Sequence, residues 1–160
     1  MSSVITQSLG NFNDKKFQGR IPKSITKCRH LELLDLGNNR IEDTFPSVLG
    51  TLPKLRVLIL RVNKLHGSMQ SPSTKLSFTK LRILDISNNV LNGNLPSKFF
   101  MNLKAMIDVD RDMEYMMMKY YYYDYSARMT WKGFEIELVK ILTTITIIDL
   151  SGNKFTGKIP

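Results

Sequence analysis

The chain has 160 residues, a net charge of +9 and 42% apolar residues, enough apolar content for a packed core rather than a permanently unfolded chain. Cys28 is the single cysteine, so no disulfide can form within the chain, and the opening MSSVITQSLG has neither the basic nor the long apolar region of a secretion signal. No apolar run reaches the length of about 18 residues needed for a membrane-spanning helix.

Taken in order, the elements repeat. The first unit is poor, with Gly10 and Phe12 in its strand, Lys15 at its turn and a close at Pro22, and is expected to be partial. The second places Leu31, Leu34 and Leu36 before Asn39, with Pro46 seven residues further on. The third has Leu55, Leu58, Leu60 and Asn63, with Gln70 in the proline slot, and the fourth Leu81, Leu84, Ile86, Asn89 and Pro96. A fifth start at Met106 and Val109 fails at Arg111, and the pattern returns as Ile145, Ile148, Leu150, Asn153 and Pro160. Successive starts lie 24, 26 and 25 residues apart, which is the leucine-rich repeat pattern.

A coil of this kind cannot bury its apolar residues alone and does so by stacking on its neighbours. In each short strand Leu34 and Leu36, and their equivalents, point inward. Leu33, Asp35 and Gly37 point outward, by the alternation of extended chain. The outward set lines a concave parallel sheet, where Val57, Ile59, Arg61, Ile83 and Ser87 are candidate ligand contacts. Asn39, Asn63, Asn89 and Asn153 close the turns as a structural ladder, because the amide can satisfy buried backbone groups. Cys28 lies three residues before Leu31, as Leu52 does before Leu55, and is expected to be a buried, unpaired thiol.

Charge is uneven along the chain. Residues 51–100 hold eight basic residues and one acidic residue. Lys54 and Arg56 share slots with Lys80 and Arg82, so stacking is expected to set them side by side, about 4.8 Å apart, as a column suited to an anionic partner such as cell-wall polysaccharide. No nucleic-acid motif accompanies it. His30 and His66 are too few and too separated for a metal or triad site, so no catalytic residue, metal or cofactor is expected. The recurrence of Asp35, Asp85 and Asp149 follows from the repeat itself.

Between the starts at Met106 and Ile145 lie 39 residues where about 25 would serve. All six tyrosines fall between Tyr115 and Tyr125, seven of nine methionines between Met101 and Met129, and the one tryptophan is Trp131. Val139 and Leu142 fit slots of a resumed coil. The organisation read from this is repeats over 1–109, an insertion over 110–137 and a resumed repeat over 138–160. Insertions within one coil map to one face of a solenoid and are commonly functional.

The closings FQGRIP, NGNLP and TGKIP, the interruption, and Tyr123 followed after eight residues by Lys132 and Gly133 together resemble the ectodomains of plant leucine-rich repeat receptor-like proteins and their island segment. The resemblance implies an α/β leucine-rich repeat solenoid of plant type, with repeats of about 24 residues, a parallel β-sheet on the concave face, few or short helices, and an island insertion. It implies a non-enzymatic recognition module in immune or developmental signalling. The expected partners are a peptide or protein ligand and, in the full-length protein, co-receptor and adaptor receptor kinases. Tyr123, Lys132 and Gly133 are then candidate contact or island-ordering residues, with Trp131 an anchor. Packing roles for Trp131 and Tyr125, and a turn role for Gly133, stand equally open. The expected location is the extracellular side of the plasma membrane, as a fragment of a longer single-pass parent. A secreted inhibitor of cell-wall-degrading enzymes, a receptor kinase ectodomain and an inactive truncated product are the alternatives.

Overall fold

The computed structural model describes residues 9–69, 78–107, 127–131, 134–138 and 145–159, with the backbone alone for 127–131 and 134–138. The first coil contributes strands Leu9–Asn11 (β1) and Gln18–Gly19 (β2), the second Leu33–Asp35 (β3) and Arg40–Ile41 (β4). The third contributes Val57–Ile59 (β5) and His66–Ser68 (β6), the fourth Ile83–Asp85 (β7) and Val90–Asn94 (β8). Ala127–Trp131 (β9) and Phe134–Leu138 (β10) precede the last coil, which gives Ile147–Asp149 (β11) and Lys154–Thr156 (β12). The helical parts are short. They are single 3-10 turns at Lys23–Lys27 and Ser47–Thr51 and one-turn α-helices at Ser97–Met101 (α1) and Lys104–Ile107 (α2).

The main sheet is parallel with strand order β1-β3-β5-β7-β11. Its register is the repeat register: Leu34 opposes Leu58, Leu58 opposes Leu84, and Leu84 opposes Ile148. The first coil, poor in sequence, still pairs Gly10 with Leu34. A second line of short strands, β2-β4 and β6-β8-β12, runs along the segments that follow the asparagines. Sequence had shown those segments only as turn-rich closings. The parallel bridge between Thr44 and His66 joins the two groups.

Inward residues behave as the alternation predicts. Leu34, Leu58, Leu60, Leu81, Leu84 and Ile86 form one buried cluster with Cys28, and full burial of each leucine stabilises by about 1.5–3 kcal/mol. Desolvation raises the Cys28 thiol above its ordinary value, which suits a small packed hydrophobe rather than a reactive thiolate. Cover thins in the last coil. Ile148, inward by register, is 41% exposed, because among the described residues no coil stacks on its far side.

Three rings weld the coils on the other side of the core. Phe99 lies 5.4 Å from Phe45 and 5.7 Å from Phe78, both edge-on. Gly50 makes the seat for Phe78. A Cβ there would come within 2.9 Å of the ring, and the Gly50 carbonyl accepts the Phe78 N–H at 3.1 Å.

The turn after each main strand uses the left-handed region immediately before the ladder position. Asp14, Asn38, Val62, Asn88 and Gly152 have φ between 52° and 62°. Val62 is the costly occupant, since a β-branched residue there crowds its own backbone.

Candidate functional site

The outward face of the main sheet is built by register. Leu33, Val57, Ile83 and Ile147 make one row, and Asp35, Ile59, Asp85 and Asp149 the next. Backbone hydrogen bonds from Asn38 N–H to Arg61 O and from Val62 N–H to Ser87 O align Gly37, Arg61 and Ser87 as a third. Position therefore agrees with the alternation, but exposure does not. Val57, Ile59, Ile83 and Ser87 have no solvent exposure and Arg61 has 2%, so these five are not the open contact surface expected of them. Three of the five are large and apolar, and rows of that kind are stabilised by being covered.

The recurrent aspartates have a structural task. The Oδ1 of Asp35 accepts the Gly37 N–H at 2.8 Å, that of Asp85 the Ser87 N–H at 3.0 Å, and that of Asp149 the Ser151 N–H at 2.9 Å. Each carboxylate thereby closes the turn two residues on. Ser87 Oγ donates to the same Asp85 oxygen at 2.6 Å. The other oxygen of Asp85 is buried without a hydrogen bond.

Burial raises Asp35 and Asp85 above the ordinary carboxylate range, against the opposing pull of their hydrogen bonds and of Arg61; Asp149 raises Asp85 further. The folded state therefore binds protons that the unfolded state releases. Stability from this source is full below the ordinary value of 3.8 and is lost as pH rises through the elevated folded value. Asp85→Asn is expected to raise the melting temperature at pH 7, because the amide keeps the acceptor toward Ser87 and can donate to Asp149. The gain should shrink as pH approaches 3.8 from above. Thermal melts of both proteins across that range check it, and a variant less stable at pH 7 contradicts it.

Asparagine side chains tie each coil to the one before. Asn63 Nδ2 donates to Leu36 O at 2.9 Å while its Oδ1 accepts the Ile41 N–H at 2.9 Å. Asn39 reaches Phe12 O and the Phe17 N–H in the same way. Asn153 does the same across the interruption, donating to Ile86 O at 2.9 Å and accepting the Leu91 N–H at 3.1 Å.

Between the starts at Met106 and Ile145, β9 and β10 pair antiparallel, with Trp131 opposite Phe134 and Ala127 opposite Leu138. Leu138, expected to open the resumed coil, is thus still paired in this hairpin. Trp131 ends β9. Tyr123, Lys132 and Gly133, like Val139 and Leu142, lie outside the described residues. Among the described residues no group of acidic, histidine and cysteine side chains could hold a metal ion, and no helix is long and apolar enough to cross a membrane.

The basic column is only partly as expected. Arg56 and Arg82 are stacked in backbone, with Arg82 N–H donating to Arg56 O at 2.8 Å. The Arg82 side chain, however, is buried, and Arg56 faces Glu32 at 3.9 Å. Lys54 and Lys80 remain exposed.

These coils, their leucine core and their asparagine ladder define a leucine-rich repeat solenoid. The Leucine Rich Repeat family model matches residues 80–102 and 144–160, and a further Leucine Rich repeat model matches residues 27–44. The chain is 48% identical over 146 residues to Receptor-like protein 43 of Arabidopsis thaliana, a match covering 89% of this chain and 20% of that protein. Among solved structures it resembles the BIR3–SERK2 complex from Arabidopsis thaliana, at 26% identity and a TM-score of 0.61 over 94% of this chain and 58% of that one. It also resembles the ectodomain of the plant membrane receptor kinase GASSHO1/SCHENGEN3 from Arabidopsis thaliana in complex with CASPARIAN STRIP INTEGRITY FACTOR 2. That likeness has 30% identity and a TM-score of 0.56, over 64% of this chain and 12% of that one. The chain belongs to the plant leucine-rich repeat receptor-like proteins, and it spans 20% or less of the length of curated relatives such as Receptor-like proteins 43 and 19.

Proposed function

We propose that the chain is the part of a plant cell-surface receptor-like protein that carries the island, and that it acts by binding rather than catalysis. Its ligand is a peptide or protein, and its second partner a co-receptor kinase, both met on the extracellular side. The observation that carries this reading is the direct pairing of β7 with β11, two strands between which the sequence runs through a segment rich in tyrosine and methionine. Such side chains suit adaptable binding surfaces. The receptor and receptor-complex names of the similar proteins support the same reading.

Tyr123, Trp131, Lys132 and Gly133 are the proposed contact or ordering residues. Val57, Ile59, Ile83, Arg61 and Ser87 enter as a buried layer of the sheet rather than as first contacts. In the full-length receptor, Tyr123→Ala and Lys132→Ala are each expected to reduce ligand-triggered signalling and co-precipitation of the co-receptor at unchanged surface level, by about tenfold for a contact worth 1.4 kcal/mol. Unchanged signalling removes the residue from the site.

A further inference from the structure

We infer that Asp85 and Asp149 share one proton across the seam between β7 and β11, and that this seam loosens when the proton leaves at higher pH. Among the described strands of the main sheet, it is the pairing whose partners stand furthest apart in sequence.

Register makes the two aspartates direct neighbours, in strands about 4.8 Å apart. Asp85 has no solvent exposure and its Oδ2 has no hydrogen-bond partner, whereas buried polar atoms are nearly always paired. Its Oδ1 is already engaged, accepting the N–H and the hydroxyl of Ser87 at 3.0 and 2.6 Å. On the other side of Asp85 stands Ile59, whose side chain offers no polar atom. Asp149 commits its Oδ1 to the Ser151 N–H, which leaves its second oxygen as an acceptor. A proton on Asp85 Oδ2 turns an orphaned acceptor into a donor, and the ionised Asp149 is the neighbouring group to receive its hydrogen bond. Two ionised carboxylates in these places repel instead.

Asp35 marks the contrast. Its row neighbours are Asn11 and Ile59, and its oxygens accept the Gly37 N–H and the Asn13 amide, so no acid stands beside it and neither oxygen lacks a donor. Burial, the largest influence on Asp85, and the charge of Asp149 both favour the protonated form, while the bonds from Ser87 and the charge of Arg61 oppose them. Asp35 lies two strands off, beyond Ile59. The proton is therefore bound in the folded state and released as pH rises through the elevated folded value.

Hydrogen exchange of the 160-residue chain reads the seam directly. The Ile86 and Asn88 N–H groups donate across it to Asp149 O and Ser151 O at 3.0 and 2.8 Å, while those of Lys64 and His66 join the second and third coils through Ile41 O and Asp43 O, both at 2.9 Å. From about pH 4 to about pH 7, protection at Ile86 and Asn88 relative to Lys64 and His66 is expected to fall about fivefold, the size of one unfavourable cross-strand pair. Asp85→Asn, whose amide donates at every pH, and Asp149→Asn, which removes the like charge, should each flatten that ratio. Asp35→Asn should leave the fall unchanged. NMR of the carboxyl carbons follows the proton in the unsubstituted chain, where one carboxyl of the pair is expected to hold it above the ordinary value of 3.8. A ratio that does not move with pH, a fall that survives Asp85→Asn or vanishes equally with Asp35→Asn, or two carboxyls that both titrate at the ordinary value each overturn the proposal.

Discussion

Asn89→Ala is expected to cost about 3–5 kcal/mol, since each buried group left without a partner costs about 1–3 kcal/mol. Asn89 is 5% exposed and makes four contacts. Its Oδ1 accepts the Leu65 N–H at 2.9 Å, and its Nδ2 donates to Leu60 O at 3.0 Å and to Ile86 O and Ser87 O at 3.1 Å. Alanine supplies none of these, and water cannot replace them where Leu60 and Leu65 are fully buried. A loss of this size is a large share of the stability of a domain, which is about 5–15 kcal/mol. In a stacked array it should fall first on the interface it bridges. Urea unfolding measures the total, and hydrogen exchange at the Leu65 amide shows whether protection is lost there. A shift below about 1 kcal/mol, the worth of one ordinary hydrogen bond, would mean that the ladder is not structural.

Phe99→Ala comes next, at about 3–5 kcal/mol, the usual range for removing a buried phenylalanine ring. The ring is 1% exposed and sits at the centre of its cluster, 5.4 Å from Phe45, 5.7 Å from Phe78 and 5.3 Å from Phe100. Edge-on pairs add about 0.5–1.5 kcal/mol beyond area burial. Phe99→Leu, which keeps most of the volume, should lose less than half as much. Unfolding midpoints of the two variants decide the matter, and equal losses would point to backbone disruption rather than to the missing ring.

The core could be read from the sequence because one rule generated it: apolar residues two apart in extended chain face one way, and the repeat placed Leu34, Leu58 and Leu84 in one row. Asparagine roles were equally plain, since only an amide both donates and accepts at a buried turn. The phenylalanine cluster was hidden for a related reason. Phe45 precedes Pro46, Phe78 stands in the slot of Leu52, and Phe99 stands in that of Leu49, so aligning the repeats scatters three rings that the stack brings together.

The site was less legible. Alternation says which face of a sheet carries Val57, Ile59 and Ile83, and it says nothing of what lies over that face. Arg82 makes the same point, for its slot predicted an exposed cation and its side chain is 7% exposed. The insertion was visible by contrast with the repeats. Its pairing of Trp131 with Phe134 was not, because no repeat supplied a register to read.

The join between Asp85 and Asp149 turns the solenoid into a socket. β7 and β11 are neighbours in the sheet, whatever number of residues runs between them. Closing a longer loop costs only about 0.6 kcal/mol for each doubling of its length. The length of chain between β7 and β11 can thus change at little cost to the stack, which needs only the pairing of those two strands.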